Sequence, residues 1–543
     1  MTYDPLFQLM QTLTKAEKRN FRLYATRHQT SEDLKFIQLF DILDKLKTLD
    51  EAFVLKKAPD IKKEQLSNLK AHLYKQLLAS LRIINKNKCA DIEIRELIDY
   101  ARILYNKSLH PSAQRILERA KNMAEINHEN ILLFEIIEFE KLIESRHITS
   151  AMEIRVNDLA TESQIVMKRI LNTGKLSNLA LQLYAQYLQK GHAKNDEEWK
   201  SVVAFVFEQK KNLPPISEMA FFERVYLYQA ESWAAYIGQR WKNYYRYTYR
   251  WVEMFENEPH MKVNDTALYL KGIYNVMNAL FLTLDYSRHT QILDNTEKYI
   301  AKHTDILHDS TMLSAHHLLL TARINKHFLD GSFAEGIKLI PDIEKFIKNN
   351  IVALDEHRIL VFYYKIACLY FGTGNFDKCI DFLNKIIQWK AGTLRTDIQC
   401  FARMLHLIAH YEKGHYALLE YYTKSVYRFL LKHGDVNAVT QEVLKFLRKA
   451  LYTPQKELRP AFIDLRNRLL EISDNPYERR SFVYLDIICW LESKITNKSI
   501  ESISKKNFLE RELRSIRFAA TWAWFIDVRG TFKVPRTSVR KRR

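Results

Sequence analysis

Catalysis and metal binding need particular residue types at short, defined spacings, and this chain of 543 residues offers few of them. A zinc-binding HExxH pair, a Cys/His cluster with zinc spacing, a GxxxxGK(S/T) phosphate loop and a GxSxG nucleophile elbow are all absent. The one glycine pair at loop spacing, in FGTGNF, follows no strand pattern and reads as a turn between helices. The 18 histidines are dispersed, and the adjacent His316 and His317 point about 100° apart on a helix, too far to share a metal. Carboxylate pairs such as Glu197 and Glu198 read as surface charge. No catalytic residue, metal ligand or cofactor is expected, and the chain reads as a non-enzyme.

Two segments carry the chemistry of polyanion binding. In WKNYYRYTYRW (241–251), Lys242, Arg246 and Arg250 stand among six aromatic residues with no acid between them. Cations beside stacking rings suit single-stranded nucleic acid. On a helix, however, Tyr244, Tyr247 or Thr248, and Trp251 share the core-facing side, which leaves the cations as an exposed row four residues apart. A core stripe with a solvated back is the preferred reading. The second segment is KVPRTSVRKRR, where Lys533, Arg536, Arg540, Lys541, Arg542 and Arg543 give six positive charges without an acid. Such a tail is expected to be disordered. It could lie on nucleic-acid phosphates, on an anionic protein, or on the acidic stretch Glu135, Glu138, Glu140 and Glu144 of another copy. Phosphate contacts of this kind are salt-dependent and blind to sequence. Solubility without a dedicated partner is the plain alternative.

The elements that must position these residues are helices. Glycine numbers 12 and proline 11, where average usage would give roughly 38 and 27, too few for the turns of a sandwich or a doubly wound sheet. Leu, Lys, Glu, Ile and Ala recur with helical periodicity through most of the length. Hydrophobic residues make up 47%, with 29 Tyr, 29 Phe and 8 Trp, so the core is large and aromatic. The net charge of +19 favours polyanions in a general way, much of it on solvated helix faces. Five scattered cysteines without a CxxC pair (Cys89, Cys368, Cys379, Cys400, Cys489) fit reduced thiols in a cytoplasmic protein. The start shows no signal peptide. No stretch reaches the ~18 to 20 apolar residues of a membrane helix, and FAATWAWFIDV (518–528) reads as a buried helix.

Along the chain, residues 1–90 read as a helical cap or small domain. Thr14 and Glu17 have the spacing of a capping box. A helix from Ser31 carries Leu34, Ile37, Phe40 and Leu43 or Leu46, and another over 62–85 carries Leu66, Leu69, Leu73, Leu77 and Leu81. Residues 91–215 read as divergent helix pairs, with Pro111 in one turn and Ala113, Leu117 and Ala120 on the helix after it. Pro214 and Pro215 mark the sharpest break. Residues 216–450 hold a repeat, 451–532 further helices, and 533–543 the basic tail.

The repeat is an aromatic in a tight turn between two helical stretches: Trp241, Tyr286, Phe333, Phe376 and Tyr416, at intervals of 40 to 47 residues. Stacked helical pairs give this signature, because no single pair buries its apolar face alone. The stretch YYKIACLYFGTGNFDKCIDFLNKII (363–387) resembles a tetratricopeptide repeat. Tyr363, Ile366, Ala367 and Tyr370 match its first helix, Gly374 and Phe376 its turn, and Cys379, Leu383 and Ile386 its second helix. The units at 318–343 and 401–426 match in part, and those at Trp241 and Tyr286 keep little beyond the aromatic. The period exceeds the ~34 residues of that family and the closing proline is missing. HEAT or armadillo repeats share the longer period without this turn.

The resemblance implies an all-α, right-handed α-solenoid of antiparallel helix pairs behind an N-terminal cap. It also implies an interaction scaffold that holds a peptide or protein partner in its concave groove. The groove-facing residues would be Thr321, Asn325 and Phe328 in one unit and Val361, Tyr364, Cys368 and Phe371 in the next. That face is apolar and aromatic, better suited to a hydrophobic segment than to an acidic terminus. The alternative function is association with nucleic acid through the basic surface and tail.

Overall fold

The computed structural model describes residues 4–25, 31–46, 48–86, 89–146, 152–304, 307, 309–351, 353–389, 396–433, 436–478, 482 and 486–529, with side chains left out at 31–34, 152, 153, 309, 396 and 515–529. Every regular element among them is a helix. The chain forms two compact units, 1–172 and 173–543.

The first unit holds α1 (Pro5–Thr12), α2 (Lys15–Ala25), α3 (Ser31–Asp44), α4 (Glu51–Lys57), α5 (Lys63–Asn85), α6 (Ala90–Asn106), α7 (His110–Ile126), α8 (Asn130–Glu144) and the start of α9 (Met152–Lys190). Its helices begin where the sequence supplies caps. The Thr14–Glu17 box forms, with the Thr14 N–H donating to Glu17 Oε2 at 2.8 Å and the Glu17 N–H to Thr14 Oγ1 at 3.2 Å. Phe40 and Leu43 on α3, and Leu66, Leu73 and Leu77 on α5, bury the expected stripes. Pro111 stands in the first turn of α7, where a missing N–H costs nothing, and Ala113, Leu117 and Ala120 are buried behind it.

The acidic helix α8 departs from the expected surface stripe. Glu140 and Glu144 are buried. Glu140 accepts from Lys121 Nζ at 3.0 Å and from Arg155 Nη2 at 2.8 Å, and Lys121 also pairs with Glu162. Half of that acidic row is therefore spent inside its own unit and is closed to a tail from another copy.

The second unit continues α9 and adds α10 (Asp196–Lys210), α11 (Phe221–Ile237), α12 (Trp241–Asn257), α13 (Met261–Asn264), α14 (Thr266–Leu282), α15 (Tyr286–His303), α16 (Asp309–Leu329), α17 (Phe333–Ile337), α18 (Ile340–Asn349), α19 (Glu356–Gly372), α20 (Phe376–Ile387), α21 (Thr396–Glu412), α22 (Tyr416–Lys432), α23 (Ala438–Ala450), α24 (Gln455–Ser473), α25 (Ile487–Thr496) and α26 (Ile500–Arg529). Most helices pack on their neighbour in sequence, such as α11 on α12, α14 on α15, α19 on α20 and α21 on α22. The first members of successive pairs also touch directly: α14 on α16, α16 on α19, α19 on α21 and α21 on α23. The FAATWAWFIDV stretch falls on α26, but its burial lies outside the described residues.

One turn geometry recurs in both units. Ser108, His128, Gln239, Leu284, Gly331, Gly374 and Gly414 have φ between 54° and 77°, in the left-handed region. In six of these turns the left-handed residue donates its N–H three residues back and the next residue donates five back. Gly374 to Phe371 at 3.0 Å and Asn375 to Tyr370 at 2.9 Å show the pattern. This is the Schellman closure of a helix end. The following helix starts two residues later, at His110, Asn130, Trp241, Tyr286, Phe333, Phe376 and Tyr416. All five aromatics of the repeat thus open a helix. The residue five after the left-handed one is buried every time: Ala113, Leu133, Tyr244, His289, Gly336, Cys379 and Leu419. Its volume changes from unit to unit, and interhelical distance is set by what stands between the axes.

Two positions show what the turn demands. A Cβ on Gly331 would stand 2.7 Å from the Lys505 backbone nitrogen, because α26 folds back across this turn. Arg511 donates there to the Leu329 carbonyl at 2.9 Å. Leu284 adopts the same left-handed backbone with a side chain that is largely exposed and gains little from packing. Leu284→Gly should therefore raise stability by about 1 kcal/mol, the strain of a left-handed L-residue less the entropy glycine adds to the unfolded chain. The readout is the urea midpoint. A lower midpoint would show that the leucine side chain outweighs its strain.

The return of the chain is also specific. Tyr477, beyond α24, donates its hydroxyl to Asp196 Oδ1 at 2.5 Å and offers its carbonyl to Gln239 Nε2 at 3.2 Å. The Arg240 guanidinium lies against the rings of both Trp199 and Tyr477. The end of the second unit is thereby fastened to its first helices.

Candidate functional site

The first helices of the second unit enclose a cavity of about 660 Å³. Each contributes one face, at a spacing of three to four residues. α9 supplies Ser177, Ala180, Leu181 and Tyr184, and α11 supplies Tyr226, Gln229 and Trp233. From α14 come Ala267, Leu270, Lys271, Tyr274 and Asn275, from α16 Ser314, His317 and Leu318, and from α19 His357, Arg358 and Val361, with Asp355 as its cap. The volume is that of a site for a small ligand or for a side chain with its flanking backbone.

The repeat geometry explains why these residues converge. Tyr226, Lys271, Leu318 and Val361 each stand 13 residues before the left-handed residue of their own turn, respectively Gln239, Leu284, Gly331 and Gly374. They are structurally equivalent positions on successive first helices. Packing of α14 on α16 and α16 on α19, with α12 joining α11 to α14, brings the four side chains into one wall.

That wall is aromatic with a cationic edge. Tyr184 and Trp233 pack at 4.8 Å between ring centroids, and Tyr274 lies 5.7 Å from His317. Asn275 is held by Tyr244, whose hydroxyl donates to its Oδ1 at 2.9 Å, and by donation from its own amide to the Lys271 carbonyl at 2.7 Å. Arg358 is drawn back onto Asp355, Nε to Oδ2 3.1 Å. Lys271 makes no ion pair among the described residues. It is reached by water, yet the walls around it exclude enough solvent to lower its pKa, against a weaker opposing pull from Asp265. His317 is held to about 3, first by burial and then by the charges of Arg358 and Lys365, so it is neutral at physiological pH. Such a wall can bind.

Of the groove residues expected from sequence, Val361 lines the cavity. Thr321 and Asn325 are buried on α16, and Asn325 Oδ1 accepts from Lys365 Nζ at 2.6 Å. Phe328 is half-buried, with Lys365 5.6 Å from its ring centroid. Tyr364 and Phe371 sit in the core, and half-buried Cys368 has its thiol pushed up to about 12 by burial. Lys533, Arg536, Arg540, Lys541, Arg542 and Arg543 lie outside the described residues.

Sequence reasoning did not single out Tyr184, Tyr226, Trp233, Lys271, Tyr274 or Arg358. The signal was present as the offset of 13 residues, but it was hidden where Gln239 and Leu284 occupy the left-handed position without glycine. A second gathering was missed in HLIAHYEKGH. His406 Nε2 lies 3.2 Å from His410 Nε2, and His410 Nδ1 lies 2.9 Å from His415 Nδ1. A neutral His410 donates through one nitrogen and accepts at the other, so the three rings form one hydrogen-bonded chain. Among the described residues, no group of three His, Cys, Asp or Glu is placed to hold a metal ion. None of the five cysteines is in a disulfide, and no helix among the described residues is long and apolar enough to cross a membrane.

No protein-family model matches the chain, and no curated protein is similar to it at a significant level.

Proposed function

We propose that this protein is a non-enzymatic interaction scaffold, a tetratricopeptide-like, right-handed array of antiparallel helix pairs that holds a segment of a partner protein in the cavity between α9 and α19. The observation that carries the reading is the wall of equivalent positions, Tyr226, Lys271, Leu318 and Val361, backed by Tyr184, Trp233 and Tyr274. An aromatic lining with few charges suits an apolar or aromatic side chain presented on an extended segment. Support for the array comes from the seven left-handed turns, six of them closed by the same pair of hydrogen bonds, and from the buried position five residues after each left-handed residue. A reducing, cytoplasmic setting fits the five free thiols.

Ala267→Trp tests the reading. Ala267 is exposed in the first turn of α14 and faces the cavity, so an indole there fills the space without entering the core. Tagged wild-type and variant proteins would be compared in pull-downs from native-host lysate, with nuclease-treated and untreated halves read by mass spectrometry. The expected result is a defined, nuclease-resistant partner whose yield falls at least tenfold with the variant, at unchanged helical circular dichroism. Equal recovery of every partner by the two proteins would dismiss the cavity as the binding site.

A further inference from the structure

We infer that the outer face of α12 is a docking surface for single-stranded nucleic acid. The helix contributes nothing to the cavity, so this surface is separate from the scaffold site. Its inner face is complete: Tyr244, Thr248 and Trp251 are buried, and Trp251 is fully so. Its outer face carries Lys242, Arg246 and Arg250, all exposed and none of them in an ion pair among the described residues.

The other outward helices of the same unit provide an internal comparison. Some exposed cations there are matched by a carboxylate three or four residues away, as in Lys338–Glu335, Lys424–Glu420, Lys445–Glu442, Arg468–Asp464 and Lys505–Glu501, while others, such as Arg428 and Lys432 on α22, are not. That is the ordinary arrangement of a solvated helix face. On α12 the first acid is Glu253, three residues after Arg250, and the two form no ion pair among the described residues.

Beside the cations stands a prepared ring. Tyr249 is 47% exposed. It rests on Tyr245, ring centroids 5.9 Å apart. Tyr245 is in turn fixed by Arg288, whose guanidinium lies 4.8 Å from the ring centroid while Nη1 donates to the Tyr245 hydroxyl at 3.1 Å. Arg288 is itself held by Asp285, Nε to Oδ2 2.7 Å. Cations spaced about 6 Å apart along a helix, with a supported ring at their side, combine a phosphate track with a base platform.

The test uses the full chain and fluorescence anisotropy with oligo-uridine, oligo-thymidine, a duplex of equal length and heparin. The charge variant is Lys242→Gln, Arg246→Gln and Arg250→Gln together, and the ring variant is Tyr249→Ala. All four residues are exposed, so circular dichroism should match the wild type. Three phosphate contacts to a single strand correspond to a slope of about −2 in log K against log salt, and to roughly 100-fold in affinity near 0.1 M salt. The charge variant is expected to lose both. The ring variant is expected to weaken single-strand binding about tenfold and leave heparin binding unchanged. Stronger binding to uridine or to thymidine would identify the strand as RNA or DNA. An unchanged affinity and salt slope in the charge variant would overturn the proposal, as would a preference for the duplex. Equal losses of oligonucleotide and heparin in the ring variant would remove the base platform and overturn it too.

Discussion

Acidification from pH 7 to pH 4 is expected to unfold the second unit, because three buried histidines must take up protons they refuse in the folded state. Burial is the first cause in each case. His289 is held to about 4, with Lys365 and Lys326 adding to the effect. His317 is held to about 3 with Arg358 and Lys365, and His406 to about 4 with His410 and Arg403. His289 is fully buried and neither of its ring nitrogens has a hydrogen-bond partner. All three folded values lie below the ordinary 6.5, so the unfolded chain binds more protons throughout the interval. The three histidines cost nothing through protonation above about pH 6.5, and the penalty grows as pH falls toward 4 and then 3.

At about 1.4 kcal/mol per pH unit, each histidine costs on the order of 3 kcal/mol once pH falls to its folded value, and together they approach the whole stability of a typical domain. All eight tryptophans lie in the second unit, so their fluorescence reports it alone. The fluorescence transition in urea should move to lower denaturant as pH falls from 7 to 5. His289→Met, which removes two unsatisfied nitrogens, should reduce that pH dependence and raise the midpoint at every pH. An identical urea midpoint at pH 7 and pH 4.5 in the wild type would refute the assignment.

Glu140→Ala should destabilise the first unit by about 3 to 5 kcal/mol, the range for removing one partner from a buried ion pair. Burial works against the charge of Lys121, but Glu162 and Glu140 outweigh it and raise the lysine above its usual value. With Glu140 gone, Lys121 keeps only Glu162, whose side chain is itself partly exposed, and Arg155 loses its contact at 2.8 Å. The first unit contains no tryptophan. Circular dichroism in urea should therefore gain an early transition that tryptophan fluorescence does not show. Replacing the whole cluster with apolar residues of similar volume should cost far less than the single substitution, since no charge would then be stranded. A midpoint within experimental error of the wild type would mean that the freed cations find solvent.

Much of this protein was legible in its residues because the relevant interactions are short in sequence. Glycine and proline scarcity excluded sheets. The Thr14–Glu17 box, the stripes on α3 and α5, and the buried set Ala113, Leu117 and Ala120 depend on contacts three or four residues apart, which periodicity exposes directly. The same is true of α12, where Tyr244, Thr248 and Trp251 turned inward and the three cations outward. Five aromatics announced where five helices begin.

What lay beyond reach depends on which helices meet. The left-handed turns at Gln239 and Leu284 have no glycine at the left-handed position, yet the same pair of backbone hydrogen bonds closes them. The acids of α8 looked like surface until Lys121 and Arg155 came down upon them. Three histidines scattered over ten residues became one chain when the turn at Gly414 folded α22 back on α21. The cavity is the clearest case, since residues from Ser177 to Val361, far apart in sequence, share it only through the way the helices pack, α14 on α16 and α16 on α19 among them. Helical periodicity determined by itself that each first helix would offer a face of Tyr, Lys, Leu or Val. Stacking alone decided that those faces would meet, since interhelical distance is set by packed side-chain volume, a property of pairs of helices that no single stretch of sequence contains.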